Sequence, residues 1–596
     1  MRVEDTERPP IEYRVSFYSP QTQMVDIQMV IRKVAGPTLD VALPVWRPGR
    51  YEILNPAGGL RDVRAVQLPQ RGMTSVGHPL PIVKTDKSTW QITTGGAEQI
   101  AVTYRVYANS LGDRTRHLDD THAFLSGAAV FFHVPGRLKD PVLVNVEAPA
   151  SWKIATGLES VPGNPRRLFA PNYDVLVDSP LEIGLHDLLE FEVNGKPHQI
   201  AIWGGAKYDP DRLKADFSNI VKSQARLFGD MPYNRYVFLI HAVPGASGGT
   251  EHLNSTIIQK PRSSLENPGA YQSFLGIVSH EFFHTWNVKQ FRPAGLHPYD
   301  YMRENYTDLL WIVEGTTSYY GDLTNVRAGI RKPDDYLRTL SDAIHTMRNR
   351  PGARMQSLAE SSFDAWIKFS RSTPDDANFT ISFYDGGALA SLLMDMELRR
   401  RTRNKVSLDD VMREMYRRFP LSGNGYTTAD IIALLETISE SQWHDFFARY
   451  INGTAPYPFE SALEVVGLEL SIQPENKDGP LIERSYAGLN LADANGGAVV
   501  RSVLSDGPAY AAGVMSGDEI VAVNSRRVSA SQFDEWIGLL HPGDTVALHI
   551  IRREVLRTVS FKLAGKLHGR WTVLRMRDPS DSQKAAYQSW LHQDWP

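Results

Sequence analysis

The apolar periodicity of this 596-residue chain changes twice, and each change marks a different kind of structure. From residue 11 to about 190, apolar residues alternate in short segments broken by Pro, Gly and Asn, as in YRVSFY (13–18), VDIQMVI (25–31) and IAVTYRVYA (100–108). A period of two puts alternate side chains on opposite faces of a strand, so this part is expected to be all-β. Residues 190–260 add strands such as YVFLIHAV to a helically spaced stretch, DRLKADFSNIVKSQARLFG (211–229). From 271 to about 450, segments such as DDYLRTLSDAIHTMRN and ALASLLMDMELRRRTRN carry apolar residues three and four apart, the spacing of one helix face. Short strands return after INGTAPYPF. The expected architecture is multidomain α+β: a β-sandwich-like domain over 1–190, a mixed and then mainly helical domain over 191–460, a compact unit over 461–566, and an extension over 567–596. Trp571, Trp590 and Trp595 make that extension too aromatic for a plain tail, so it is expected to dock.

Charge and composition narrow the function classes. The 64 basic residues against 68 acidic ones leave a net charge of -4, which offers no footprint for nucleic acid or an anionic membrane. No run approaches the roughly 18 apolar residues of a membrane span. The N-terminal MRVEDTERPPIEYRV lacks an apolar secretory core, so a cytoplasmic protein is expected, or an exported one if a signal peptide has been removed. Cysteine is absent, which leaves His, Asp and Glu to hold any transition metal.

One stretch combines those residue types: VSHEFFHTWNVKQFRP, residues 278–293. His280 and His284 stand at i and i+4, so on a helix both imidazoles leave one face, with Glu281 on an adjacent edge. Leu275, Ile277, Val278, Phe282, Phe283 and Trp286 supply a wide apolar surface, and Pro293 is expected to stop the helix. Two histidines and a glutamate in so apolar a helix each cost free energy unless partnered, which favours a metal over hydrogen-bonded core histidines. A zinc site needs a third protein ligand, here His, Asp or Glu, and an open position for water. In DLLWIVEGTTSYYGDL (308–323) a single acid, Glu314, stands amid apolar residues; it is either a ligand or a surface glutamate at a helix bend.

HEFFHTWNVKQFRP followed by WIVEGTTSYY resembles the glycyl aminopeptidase family of gluzincin metallopeptidases, as do VWRPGRYEI (45–53) and HLDDTHAFLSGAAVFF (117–132). The resemblance implies a thermolysin-like catalytic domain, one zinc ion per chain held by His280, His284 and Glu314, and Glu281 as general base. Compared with the related alanyl aminopeptidases, Glu314 lies further along the chain, 30 residues after His284, which implies an insertion. In GASGGTEHLNST (245–256) it implies a glycine-rich edge strand in which Gly248 and Gly249 admit the substrate backbone and Glu251 pairs with the α-ammonium. In SFYDGGALA (382–390) it implies that the Tyr384 hydroxyl supports the oxyanion, with Gly386 where a lysine often sits. The implied activity removes N-terminal residues, preferentially Gly and Ala, from peptides with a free N-terminus. The same zinc chemistry without amine capture would make an endopeptidase or amidase.

GLNLADANGGAVVRSVLSDGPAYAAGVMSGDEIVAVNSRRV (488–528) resembles a PDZ domain. Gly488, Leu489, Asn490 and Leu491 match its carboxylate-binding loop, where successive backbone N-H groups can receive a chain terminus. Such a unit binds peptide C-termini or packs on the catalytic domain; with an inactive peptidase the chain would be an adaptor.

Overall fold

The computed structural model describes residues 9–69, 77–474, 479–494 and 497–596. The start of the N-terminal stretch read above for a leader, residues 1–8, lies outside them. The chain divides into two compact units: Met1–Thr307 with Tyr320–Ile330 and Arg413–Tyr426, and Asp308–Tyr319 with Arg331–Met412 and Thr427–Pro596.

The first unit begins with the alternating segments. They form an eight-stranded sheet in which Ile11–Ser16 lies between Met24–Arg32, antiparallel, and Val142–Glu147, parallel, with Gln99–Tyr107 beyond. The alternation is literal: Val25, Ile27, Met29 and Ile31 are buried while the residues between them are half-exposed. A second sheet of five strands includes His122–Leu125 and Leu181–Gly184. Tyr13, Tyr104, Phe131, Phe132 and Tyr173 are among the large side chains of the core these strands share. A short α-helix, Tyr173–Val177, interrupts this β-rich region.

A third sheet of the same unit runs in the order Asp187–Val193, Lys196–Trp203, Tyr236–Ala242, Ser255–Lys260, Gly248–Glu251. Its three middle strands are parallel and its outer two antiparallel to their neighbours. Two helices cover it. Pro210–Phe228 starts at Asp209, whose side chain accepts the Asp211 and Arg212 amides, and ends at Gly229 with φ +88°. Pro268–Phe283 starts at Asn267, with Pro268 in the first turn, and seats Phe282 on Tyr236 and Phe238. It ends before Pro293, contrary to the expectation. The chain turns at His284 because Val288 adopts φ +86° and its amide bonds Phe291 O at 3.1 Å, which swings Lys289 inward.

The second unit is helical and then β. Its helices include Pro333–Arg348, Leu358–Phe363, Asp385–Thr402 and Thr428–Ser439. The C-terminal strands form a sheet in the order Leu489–Ala494, Gly497–Val503, Glu519–Val523, Thr545–Arg552, Val555–Lys562, closed by the helix Ala530–Gly538 over its own core. The strand Ala564–Arg575 continues through Lys566 and Leu567, pairs with Leu468–Pro474 and Ile482–Tyr486, and docks on the helix Pro333–Arg348 through Val573 N to Ser341 Oγ, 2.9 Å. The extension docks as its tryptophans require. Arg348 lies 4.2 Å over the Trp571 ring, and buried Trp590 donates to the Tyr319 hydroxyl at 2.7 Å. Among the described residues no helix is long and apolar enough to cross a membrane.

Candidate active site

The i, i+4 spacing on Pro268–Phe283 brings the His280 and His284 rings to 4.8 Å between centroids, with the two Nε2 atoms 3.1 Å apart. The His284 Nδ1 proton is held by the Asn287 carbonyl at 3.0 Å, which directs the lone pair on Nε2 toward His280. Two imidazole nitrogens facing each other with one tautomer fixed from behind fit a shared ion, and a donor set of nitrogen and carboxylate oxygen without sulfur fits zinc better than magnesium or calcium.

The edge strand Gly248–Glu251 passes directly over Glu281. A Cβ on Gly249 would lie 2.2 Å from Glu281 Oε1, and one on Gly248, where φ is +137°, 3.0 Å from Asp113 Oδ2. Both glycines are therefore required by close approach. Donor atoms of Glu251, Glu281 and His284 all lie within 4.8 Å of one another, so the water-activating and amine-binding candidates share one space.

Glu251 sits in a charged nest drawn from four segments. Gly49, in the VWRPGRYEI segment, adopts φ +83°, and a Cβ there would lie 2.5 Å from Glu251 Oε2. Lys289 Nζ is 3.8 Å from Glu251 Oε1 but only 2.7 Å from Asp178 Oδ1. Burial works against the Lys289 charge, yet Asp178 and Glu251 together raise its pKa. Burial likewise works to raise the Asp178 carboxyl, but Lys289, helped by His252, holds it well below the usual carboxylate range. Arg47 donates to Thr250 Oγ1 at 3.0 Å and to the Asp113 carbonyl at 3.4 Å; burial lowers its pKa, opposed chiefly by Glu251. Lys289 is thus committed mainly to Asp178, leaving Glu251 with longer-range partners. Sequence reasoning missed Arg47, Asp178 and Lys289. Two of them stood in the quoted motifs, but spacing does not say that they converge on Glu251.

In the second unit Glu314 is buried on a π-helical turn, Trp311–Thr316. Such turns recur at functional sites because they re-aim a side chain without ending the helix. Its neighbour Gly315 has a packing reason: a Cβ there would meet Gly387 Cα at 2.4 Å and Phe383 O at 2.7 Å. The turn therefore crosses the start of Asp385–Thr402 backbone to backbone. Gly386 belongs to the same packing, with its missing Cβ 2.8 Å from Ile381 Cδ1. Tyr384, half-buried at the head of that helix, stacks on Phe369 with centroids 5.4 Å apart and an interplanar angle of 25°.

At the C-terminal sheet Gly488 adopts φ +80° against Gly507, where a Cβ would lie 2.6 Å from Gly507 Cα. Leu489, Asn490 and Leu491 begin the edge strand, which among the described residues pairs only with Gly497–Val503. Asn490 Nδ2 donates to Ser502 Oγ at 2.7 Å.

Against family models, residues 12–185 match the Peptidase M61 N-terminal domain, 273–390 the M61 glycyl aminopeptidase, and 485–563 a PDZ domain. No curated protein matches. Among solved structures, an aminopeptidase N family protein from Idiomarina loihiensis is 29% identical, with a TM-score of 0.88 over 98% of this chain and 100% of its own. An M1 zinc metallopeptidase from Deinococcus radiodurans is 12% identical over 75% of this chain and 94% of its own, with a TM-score of 0.46. Yeast LTA4 hydrolase in complex with bestatin is 13% identical over 75% of this chain and 68% of its own, with the same TM-score.

Proposed function

We propose, from the premise that this chain belongs to the M61 glycyl aminopeptidase family, that it is a zinc-dependent aminopeptidase removing small N-terminal residues from peptides. His280, His284 and Glu314 hold the ion, as the likeness of HEFFH and WIVEGT to the M61 family implies. Bound there, zinc lowers the pKa of a water and polarises the scissile carbonyl.

The chain's own residues do the rest. Glu281 takes the proton of the attacking water and returns it to the leaving amine. Tyr384 donates its hydroxyl to the oxygen that becomes negative as the carbonyl is attacked. Glu251 fixes the α-ammonium, with Gly248 and Gly249 allowing the substrate backbone to lie along the edge strand. The C-terminal unit receives a peptide terminus at Gly488 to Leu491 by its PDZ likeness.

The observation that carries the exopeptidase reading is the closeness of Glu251 and Glu281, whose donor atoms lie within 4.8 Å. In an N-terminal residue one carbon joins the ammonium to the first carbonyl, so the groups serving each must be neighbours. The Gly49 backbone against Glu251 supports the preference for small residues, because it narrows the space beside the ammonium.

The test is hydrolysis of glycyl and alanyl anilides against their N-acetylated forms, by the parent and by Glu251→Gln. Cleavage confined to free-amine substrates, with KM raised about tenfold or more in the variant, is expected. Equal cleavage of acetylated substrates would make the protein an endopeptidase or amidase.

A further inference from the structure

A second cluster of imidazoles and a carboxylate lies in the first unit, outside the residues used above. His122 from His122–Leu125, Glu182 from Leu181–Gly184 and His241 from Tyr236–Ala242 meet where the five-stranded sheet of the β-rich region faces the third sheet. His122 Nδ1 is 3.0 Å from Glu182 Oε1 and His241 Nε2 is 2.9 Å from Glu182 Oε2. All three side chains are at most 1% exposed, and their donor atoms lie within 4.8 Å of one another. Trp203 closes one side, stacked on His122 at 3.5 Å and 13°.

A buried carboxylate normally sits beside lysine or arginine, as Asp178 does. Among the described residues, the ion-pair partners of Glu182 are all imidazoles: His122, His241 and His186. His186 is the telling one. It is 1% exposed, neither ring nitrogen has a hydrogen-bond partner, and its Nδ1 points to Glu182 Oε1 at 3.9 Å. Leaving two ring nitrogens unsatisfied in the interior is expensive, whereas a ligand position would use one of them.

The outer contacts suit ligation. With His122 Nδ1 and His241 Nε2 facing an ion, their protons move to the rear nitrogens. His122 Nε2 then donates to His117 Nδ1, 3.0 Å away, and His241 Nδ1 to the Gln259 side-chain amide, whose nearer atom is 3.0 Å away, with the amide turned to present its oxygen. Without an ion, the same chain of contacts runs with the opposite tautomers, but both His186 ring nitrogens stay without a hydrogen bond. Bonds of about 2.0–2.1 Å place tetrahedral donors about 3.3 Å apart, so the His122 and His241 contacts with Glu182 need widen by a few tenths of an ångström and His186 must move inward from 3.9 Å. The His280 and His284 nitrogens, at 3.1 Å, need a similar adjustment.

We propose that His122, Glu182 and His241, with His186 in the fourth position, form a second and structural metal centre that holds a zinc-class divalent ion and staples the β-rich region to the third sheet. Imidazole donors exclude a magnesium- or calcium-type site, and full burial leaves no open position for substrate. In a chain without cysteine, neither a disulfide nor a thiolate zinc site could make this cross-link. The centre is independent of the proposed activity.

The experiment is metal analysis of the full-length protein carrying His280→Ala and His284→Ala, equilibrated with zinc and then freed of loose ions. About one ion per chain should remain, and cobalt substitution should give the visible bands of a tetrahedral nitrogen and oxygen site. Adding His122→Ala and His241→Ala should remove that ion, and His186→Ala alone should speed its loss to a chelator. A folded double variant that retains no zinc overturns the proposal. That result stands on its own if the quadruple variant fails to fold, and it leaves the aminopeptidase reading untouched.

Discussion

Two histidine constellations in one chain are assembled in opposite ways. His280 and His284 stand four residues apart on one helix, and helical geometry alone aligns them. His122, Glu182 and His241 come from three strands of two sheets, and only the registers of those sheets bring them together. The first arrangement is portable, because any sequence that keeps the helix keeps the pair. The second is a consequence of tertiary folding, so removing it should cost stability where removing the first costs chemistry.

The sharpest test of that division is Glu281→Gln. Its carboxylate lies under Gly249 and within the group it forms with Glu251 and His284, so the amide keeps the shape while losing the base. A general base is worth about 10² to 10⁴ in rate, which corresponds to roughly 3–5 kcal/mol of transition-state stabilisation. We expect kcat to fall at the upper end of that range, the catalytic metal to be retained, and Tm to stay within a few degrees. A large drop in Tm would break the comparison, since the helix would then be as dependent on its polar residues as the sheets are on theirs.

Tyr384→Phe asks whether a residue brought in by tertiary packing also belongs to the chemistry. The ring is held by stacking on Phe369 and by contact with Phe383, and phenylalanine preserves both. Loss of one donor to the developing negative charge costs about 10²-fold in kcat with KM little changed. Unchanged kcat would return Tyr384 to the role of a packed aromatic.

What could be read beforehand follows the same line. Strands near residues 13–18, 25–31 and 100–108 were legible because alternation is a local property; they occur at Ile11–Ser16, Met24–Arg32 and Gln99–Tyr107. The helix that carries His280 and His284 was legible from spacing and its apolar surface, but its end was not. Pro293 is a strong local stop, yet the chain leaves the helix at His284 because Lys289 must reach Asp178, a partner 111 residues earlier. The nest around Glu251 was illegible for the same reason, as Gly49, Arg47, Asp178 and Lys289 are scattered and individually ordinary. The glycines of WIVEGT and YDGGA showed their reason only as a backbone crossing, Gly315 on Gly387.

The smallest effect concerns a contact that is wholly tertiary. Asn378, mostly buried, donates from Nδ2 to Val503 O and accepts at Oδ1 from Ser505 N, each at 2.8 Å. One amide thus satisfies both sides of the turn that backs Gly488, whose carbonyl accepts the Leu504 amide at 2.8 Å. The Gly488 loop is thereby tied to the helical part of the same unit through the Asn378 side chain. Alanine at this position removes both partners and strands two backbone groups, a cost of about 1–3 kcal/mol. We expect faster hydrogen exchange at residues 503–505 and in the Gly488 loop, with kcat unchanged and exchange along Pro268–Phe283 unaltered. Unchanged exchange at 503–505 would show that other contacts hold the PDZ unit in place. Slower catalysis would mean that its position is coupled to the site, and the division between local chemistry and tertiary stability would then fail at its weakest link.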